Sequence, residues 1–262
     1  ASDGAVILVK PGDYAGAVIN KQVTIRGLGQ VRIVKGVPWM AGSISSFTAF
    51  RFDLFGGGDG ARIINFTVDC DSLLRYAVYS RGADNVTVRR LKITNPTGGI
   101  VNYNGSGWTI TLNRIRGFPD GGEGIVIGEY IGRKADDNLV AFNRIDDPDI
   151  PEQHYSTPGI ILASYYGGRV KNNRGVHNHV RPGGYNQACG VELYDGPGAE
   201  TGEISVADNR IRLNDFRGCG TSFIFYPDPD EGDEYDVEAA NRIDRNLGGD
   251  LQPGPRPGRR RR

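Results

Sequence analysis

The stretch AFNRIDD spans residues 141–147, and its central Asn-Arg-Ile, headed by Asn143, recurs at Asn113, Asn209 and Asn241. A near copy stands at Asn173-Arg174-Gly175. Alternating apolar residues run into each copy, as in WTITL before Asn113 and NLVAF before Asn143, and a second short apolar alternation follows. Period-two alternation on both sides of a polar bend describes two short strands and not a helix. ARIINFTVDC (61–70) and NVTVRRLKIT (85–94) keep the form but carry Phe66 and Leu91 where Asn is expected. Aligned in this way, positions 66, 91, 113, 143, 173, 209 and 241 recur at intervals of roughly 22 to 36 residues.

A second repeated piece lies between them: GIVNY (99–103), GIVIGEY (124–130), GIILASY (159–165), GVELYDG (190–196) and SFIFYPD (222–228). Each unit therefore holds three short strands. Unevenly spaced units of this size indicate a solenoid with insertions in its loops. One unit cannot bury its own apolar face, so successive coils must stack, strand over strand at about 4.8 Å. The expectation is an all-β parallel solenoid of about eight coils, starting near residues 6, 49, 77, 100, 125, 160, 191 and 223. It occupies residues 1–247, with a flexible Pro/Gly/Arg-rich tail at 248–262. Stacked Asn113, Asn143, Asn173, Asn209 and Asn241 are read as scaffolding: Asn tolerates left-handed backbone at a bend, and its amide can bond from coil to coil.

Composition narrows the function classes. Lys+Arg and Asp+Glu both number 31, without the basic excess usual in a nucleic-acid binder. No apolar run reaches the length of a membrane span. The chain opens at Ala1, as a mature or excised product would. Its three cysteines fit no zinc spacing; Cys189 and Cys219 are placed near one coil apart, either as an exported protein's disulfide or as two buried thiols.

The opening DGAVILVKPGDYAGAVINKQVTIRGLG (3–29) resembles the first coil of right-handed parallel β-helix proteins with pectate-lyase-like coils, including the NosD-like group with short β-helix repeats. The similarity extends over roughly 3–247 and implies a single right-handed parallel β-helix. Such families include polysaccharide lyases, uronan epimerases, glycoside hydrolases, phage tail proteins and non-catalytic surface proteins. The resemblance implies a secreted, carbohydrate-active protein, extracellular or periplasmic. Its partner is then a polysaccharide and neither nucleic acid nor membrane. Lyase or epimerase chemistry on an acidic glycan stands first and glycoside hydrolysis second. The alternative is a non-catalytic module for glycan binding or assembly, trimeric if phage-like. The Asp-Pro-His pattern of the epimerases is absent: Asp147-Pro148 is followed by histidine only at His154.

Candidate site residues follow from geometry. Loops 69–75, 94–98, 116–123, 146–158, 176–189 and 214–221 join the second strand of a unit to its Gly-started strand, and they lengthen along the chain. Long loops on a scaffold that needs only short turns carry function. His154, His177 and His179 fall in two adjacent long loops, near Asp149, Glu152, Tyr155 and Arg181. By alternation, the outward face of the Gly-started strands presents Val126, Ile161, Ala163, Glu192, Tyr194, Ile224 and Tyr226, next to Asp195. The expected catalytic set is His179, Arg181, Glu192 and Asp195, with Tyr194, Tyr226, His154, Tyr155 and His177 as substrate-binding residues. In β-elimination, Arg181 neutralises a uronate while His179 or Tyr194 moves the proton; in hydrolysis, Glu192 pairs with Asp195, Asp149 or Glu152. The acidic loop PDPDEGDEYD (227–236), and Asp69 with Asp71, offer oxygen ligands to Ca²⁺, though neither has the spacing of a recognised calcium loop and solvation is expected. No other cofactor or metal is expected.

Overall fold

The computed structural model describes residues 1–38, 47–52, 57–71, 73–118, 122–146, 159–181, 188–196, 204–219, 221–226 and 237–248; at 188, 189, 221 and 226 the backbone alone is described. The chain deals most of its strands in turn to three sheets, and Val170–Lys171 pairs with Val206–Ala207 as a separate two-stranded sheet. Sheet A starts with Val6–Val9 and Thr24–Gly27 and ends with Arg210–Arg212 and Arg242–Asp244. Sheet B runs from Gly12–Ala15 to His179–Arg181. Sheet C holds Ala17–Ile19, Phe47–Phe52, Leu74–Arg81, Gly98–Tyr103, Glu123–Glu129, Ile160–Ser164, Ala188–Asp195 and Thr221–Tyr226. Among the described residues these strands pair in parallel with their counterparts one coil away, and the antiparallel exception is the two-residue Val37–Pro38 against Phe47–Thr48. The first member of sheet C is Ala17–Ile19; the strand near residue 6, expected to begin that series, lies in sheet A.

Register turns sequence alternation into continuous core columns. Ile33, Val68, Ile93, Ile115, Ile145 and Val180 stack inside sheet B. Val78, Ile100, Ile125, Ile160, Val191 and Phe223 stack inside sheet C. All of these are buried, and each contributes on the order of 1.5–3 kcal/mol relative to exposure. The glycines that open the sheet C strands answer to close stacking. A Cβ on Gly124 would lie 2.2 Å from the carbonyl oxygen of Gly159, and one on Gly190 would lie 2.0 Å from that of Ser222.

Asn-Arg-Ile marks two different corners. Between sheets A and B, Asn113, Asn143, Asn178, Asn214 and Asn246 form one ladder, each Nδ2 donating to the next Oδ1 at 2.9–3.0 Å across 30, 35, 36 and 32 residues. Leu91 enters its lower end by donating its backbone N–H to Asn113 Oδ1. Between sheets C and A, Asn138, Asn173, Asn209 and Asn241 form a second ladder of the same geometry, headed by the backbone N–H of Trp108. Asn143 and Asn173 therefore belong to different columns, which corrects the single ladder expected above. The left-handed residue is also the one before the ladder Asn: Leu112, Phe142, His177 and Leu213 at one corner, Asp137, Asn172 and Asp208 at the other, with φ of 55–59°. Both corners need the same local solution, a left-handed residue, a bonded Asn, an outward Arg and a core Ile, so the same tripeptide serves both.

Candidate functional site

The outward face of sheet C is an apolar floor under tyrosine rings. Tyr79, Val101, Val126, Ile161 and Glu192 align in one outward row. Arg81, Tyr103, Gly128, Ala163 and Tyr194 align in the next. Tyr79, Val101, Val126, Ile161 and Ala163 are buried, and Tyr76, Tyr103, Tyr165 and Tyr194 pack against them. Val126, Ile161 and Ala163 thus face outward as expected but are not exposed. The rings tile: Tyr79–Tyr103 at 6.1 Å, Tyr103–Tyr165 at 5.9 Å and Tyr165–Tyr194 at 5.4 Å between centroids. Offset and edge contacts of this kind favour mutual order. At the lower end Arg81 donates from Nε to the Tyr79 hydroxyl at 2.7 Å and lies 4.6 Å above the Tyr130 ring.

Two half-buried carboxyls sit in this face. Glu123 is in register with Gly98 and Tyr76, and Glu192 with Ile161. Burial pushes the Glu123 carboxyl up to about 7. Glu192 is also pushed up to about 7, first by burial and then by the nearby Glu123 charge. Tyr165 feels both carboxylates and shares a hydrogen bond with Tyr103; burial, the largest cause, raises both phenols. Burial likewise pushes Tyr79 up to about 12. The phenols therefore stay protonated as donors, while the two carboxyls exchange protons near neutrality.

The other expected site residues are distributed over the molecule. Tyr194 joins Glu192 on this face. The backbone of Tyr226 continues the Tyr194 row, and its side chain lies outside the described residues. His154 and Tyr155 lie outside them too, as do Asp149 and Glu152. Asp195 follows Glu129 and Ser164 in a buried row, and its Oδ2 accepts the backbone N–H groups of Ser205 and Val206 at 3.1 and 3.5 Å. Its Oδ2 is thus engaged in holding backbone, away from Glu192. His179 is in a sheet B strand, not a loop; its Nδ1 lies 3.0 Å from Asp215 Oδ2. Arg217 holds that Asp215 carboxyl below the usual carboxylate range. Arg181 is exposed on the same strand, opposite Asp146. His177 occupies the left-handed position at the A–B corner, its ring stacked on Phe142 at 5.0 Å and 4°. The expected loop 176–189 thus contains a corner and a strand, because the Asn173 column was taken for the Asn143 column.

Glu123, Tyr79, Tyr103 and Tyr165 were not singled out from the sequence. For the tyrosines the signal is the alternation that exposed Glu192, extended back to LRYAVYSR and GGIVNY and on to the end of GIILASY; Glu123 stands ahead of the alternation in its strand and carries no such signal.

These parallel columns and their outward face bear on ancestry. The family model described as "right handed beta helix region" matches residues 54–225. The chain belongs to that family. No curated protein and no solved structure matches it. In this β-helix protein the match begins between the sheet C strand Phe47–Phe52 and the sheet A strand Arg62–Ile64 and ends in the last strand of sheet C.

Among the described residues no three potential ligands cluster for a metal ion. Asp69 Oδ1 accepts the Thr94 hydroxyl at 2.6 Å, and Asp71 Oδ1 accepts the backbone N–H groups of Leu73 and Leu74. The acidic loop 227–236 lies outside the described residues. Cys70 is a free, buried thiol, raised by burial and by Asp69 and Asp71, whereas Cys219 is in a disulfide.

Proposed function

We propose that this β-helix protein acts on an extracellular polysaccharide at the outer face of sheet C, with Glu123 and Glu192 as the acid–base pair. One observation carries the reading: both carboxyls titrate near 7 on a face of tyrosine rings. Tyrosine offers a ring face to a sugar and a hydroxyl to its edge. A carboxyl held near neutrality can donate or accept a proton at the pH of use. Two carboxyls favour glycoside hydrolysis. Elimination needs a cation at the uronate, and on this face Arg81 is already committed to Tyr79 and Tyr130. The Cys219 disulfide supports an oxidising, extracytoplasmic compartment.

The test is a panel of neutral and acidic polysaccharides, followed by new reducing ends and by the ultraviolet absorbance of unsaturated uronates. Reducing ends without absorbance are the expected product. Absorbance would reassign the chemistry to a lyase, and silence on every polymer would leave the non-catalytic binding module as the reading.

A further inference from the structure

Sheet A faces away from the tyrosine face and has its own chemistry. Its outward positions carry seven arginines, Arg26, Arg62, Arg89, Arg174, Arg210, Arg212 and Arg242, against one acid, Asp244. Arg174, Arg210 and Arg242 are direct cross-strand neighbours in three successive coils, and all three are exposed. Like charges placed directly opposite on paired strands destabilise a sheet. Elsewhere the protein relieves such pairs. On sheet B, Arg114 and Arg144 are opposite each other and share Asp146 at 3.6 and 2.6 Å, while Arg32 lies between Asp13 and Asp69. On sheet A, Asp244 holds Arg242 at 2.8 Å and Arg212 at 3.3 Å, but Arg174 and Arg210 have no ion-pair partner among the described residues. Asp208, on the corner beside them, makes no ion pair with either.

We propose that this face is a second binding surface, one that holds a linear acidic polysaccharide along the solenoid axis through Arg174 and Arg210, with Arg242, held by Asp244, continuing the row. The comb presents one guanidinium per coil, at about 4.8 Å. A flexible uronan carries one carboxylate on every sugar, so its chain can turn carboxylates toward the comb, and each free guanidinium can grip one with two N–H groups. Neutralising the comb removes the repulsion that the empty face carries. Nucleic acid fits less well. Each strand of a duplex advances about 3.4 Å per phosphate and winds away from a straight comb. Single strands are held by stacking on aromatic rings, and the outward positions of sheet A present none. This surface is independent of the acid–base pair on sheet C: it would hold polymer, not cut it.

The experiment is titration calorimetry of the full chain with polygalacturonate, in parallel with dextran and an oligothymidylate. Binding to polygalacturonate that weakens as NaCl rises from low to high concentration is expected, with none to dextran. The double substitution Arg174→Gln/Arg210→Gln should weaken that binding at least tenfold while leaving the melting temperature unchanged or raised. If the sheet C reading is correct, turnover of short neutral oligosaccharides should also be unchanged in this variant. Undiminished binding in the double variant would overturn the proposal, since the grip would then lie elsewhere, as in the arginine-rich segment 254–262. So would an absence of polygalacturonate binding, or oligothymidylate binding of equal strength that depends on the same two arginines.

Discussion

Glu192 and Glu123 hold their protons about as tightly as a histidine does, because their surroundings solvate the charged form poorly. The sign of the stability effect follows. The unfolded carboxyls ionise near pH 4.5 and the folded ones near 7, so between these values the folded state binds more protons and stability falls as pH rises. Each group keeps some contact with solvent and contributes about 1–2 kcal/mol to that fall. Melting curves from pH 4 to 8 should show the melting temperature declining most steeply from about 4.5 to 7, and Glu123→Gln with Glu192→Gln should flatten the decline. On a cleaved polymer, either Gln variant should lose turnover by roughly 100-fold or more, and the wild-type pH–rate profile should bend near 7. Glu192 and Tyr194 were legible in the sequence because they sit in the middle of an alternating strand. Glu123 was not, because it opens its strand one residue ahead of Gly124, where alternation has not yet begun. The position of His179 was hidden for another reason: Asn173 and Asn178 stand five positions apart, and only the second of these leads into sheet B.

The strands and their corners are where single substitutions should discriminate most sharply. Gly124 and Gly175 look alike in sequence, yet a Cβ on Gly124 would strike the Gly159 carbonyl at 2.2 Å, while one on Gly175 would meet only Ile211 Cγ1 at 3.9 Å. Gly175 stands in the sheet A core column between Val140 and Ile211, where its missing side chain leaves a small apolar cavity lined also by Ile160, Leu162 and Val191. Gly124→Ala should therefore destabilise by about 1–3 kcal/mol, and Gly175→Ala should stabilise by about 0.5–1 kcal/mol, both read from chemical denaturation. The ladders permit a similar comparison. Asn143→Ala takes the acceptor from the Asn113 backbone N–H and side-chain amide and a donor from the Ile110 carbonyl, while Asn178 Oδ1 keeps the backbone N–H of residue 143; it should lower stability by about 2–4 kcal/mol. Asn246→Ala, at the half-buried end of the same ladder, should lower it by less than half as much. That the tripeptide builds corners was readable from its flanking alternation. Which corner each copy builds was not, because both corners place a left-handed residue, an amide and a core Ile in the same order.

At the level of the molecule, the chemistry on sheet C and the comb on sheet A depend on one arrangement. Coils of unequal length stack in register, so residues 18 to 38 positions apart become vertical neighbours. Solenoid architecture, parallel pairing and the three strands per coil followed from the repeat. The lengths of the individual coils did not, since loop insertions hide the register until backbone partners are known. Engineered cross-links read that register directly. Arg144 lies opposite His179 in sheet B, and Arg174 lies opposite Leu139 in sheet A. Cα atoms on adjacent strands are within the span of a disulfide. Under mild oxidation, Arg144→Cys/His179→Cys should cross-link to near completion and Arg144→Cys/Arg174→Cys should not, as scored by peptide mass. Efficient closure of the second pair with failure of the first would contradict the two-ladder winding, and with it the alignment of both proposed surfaces.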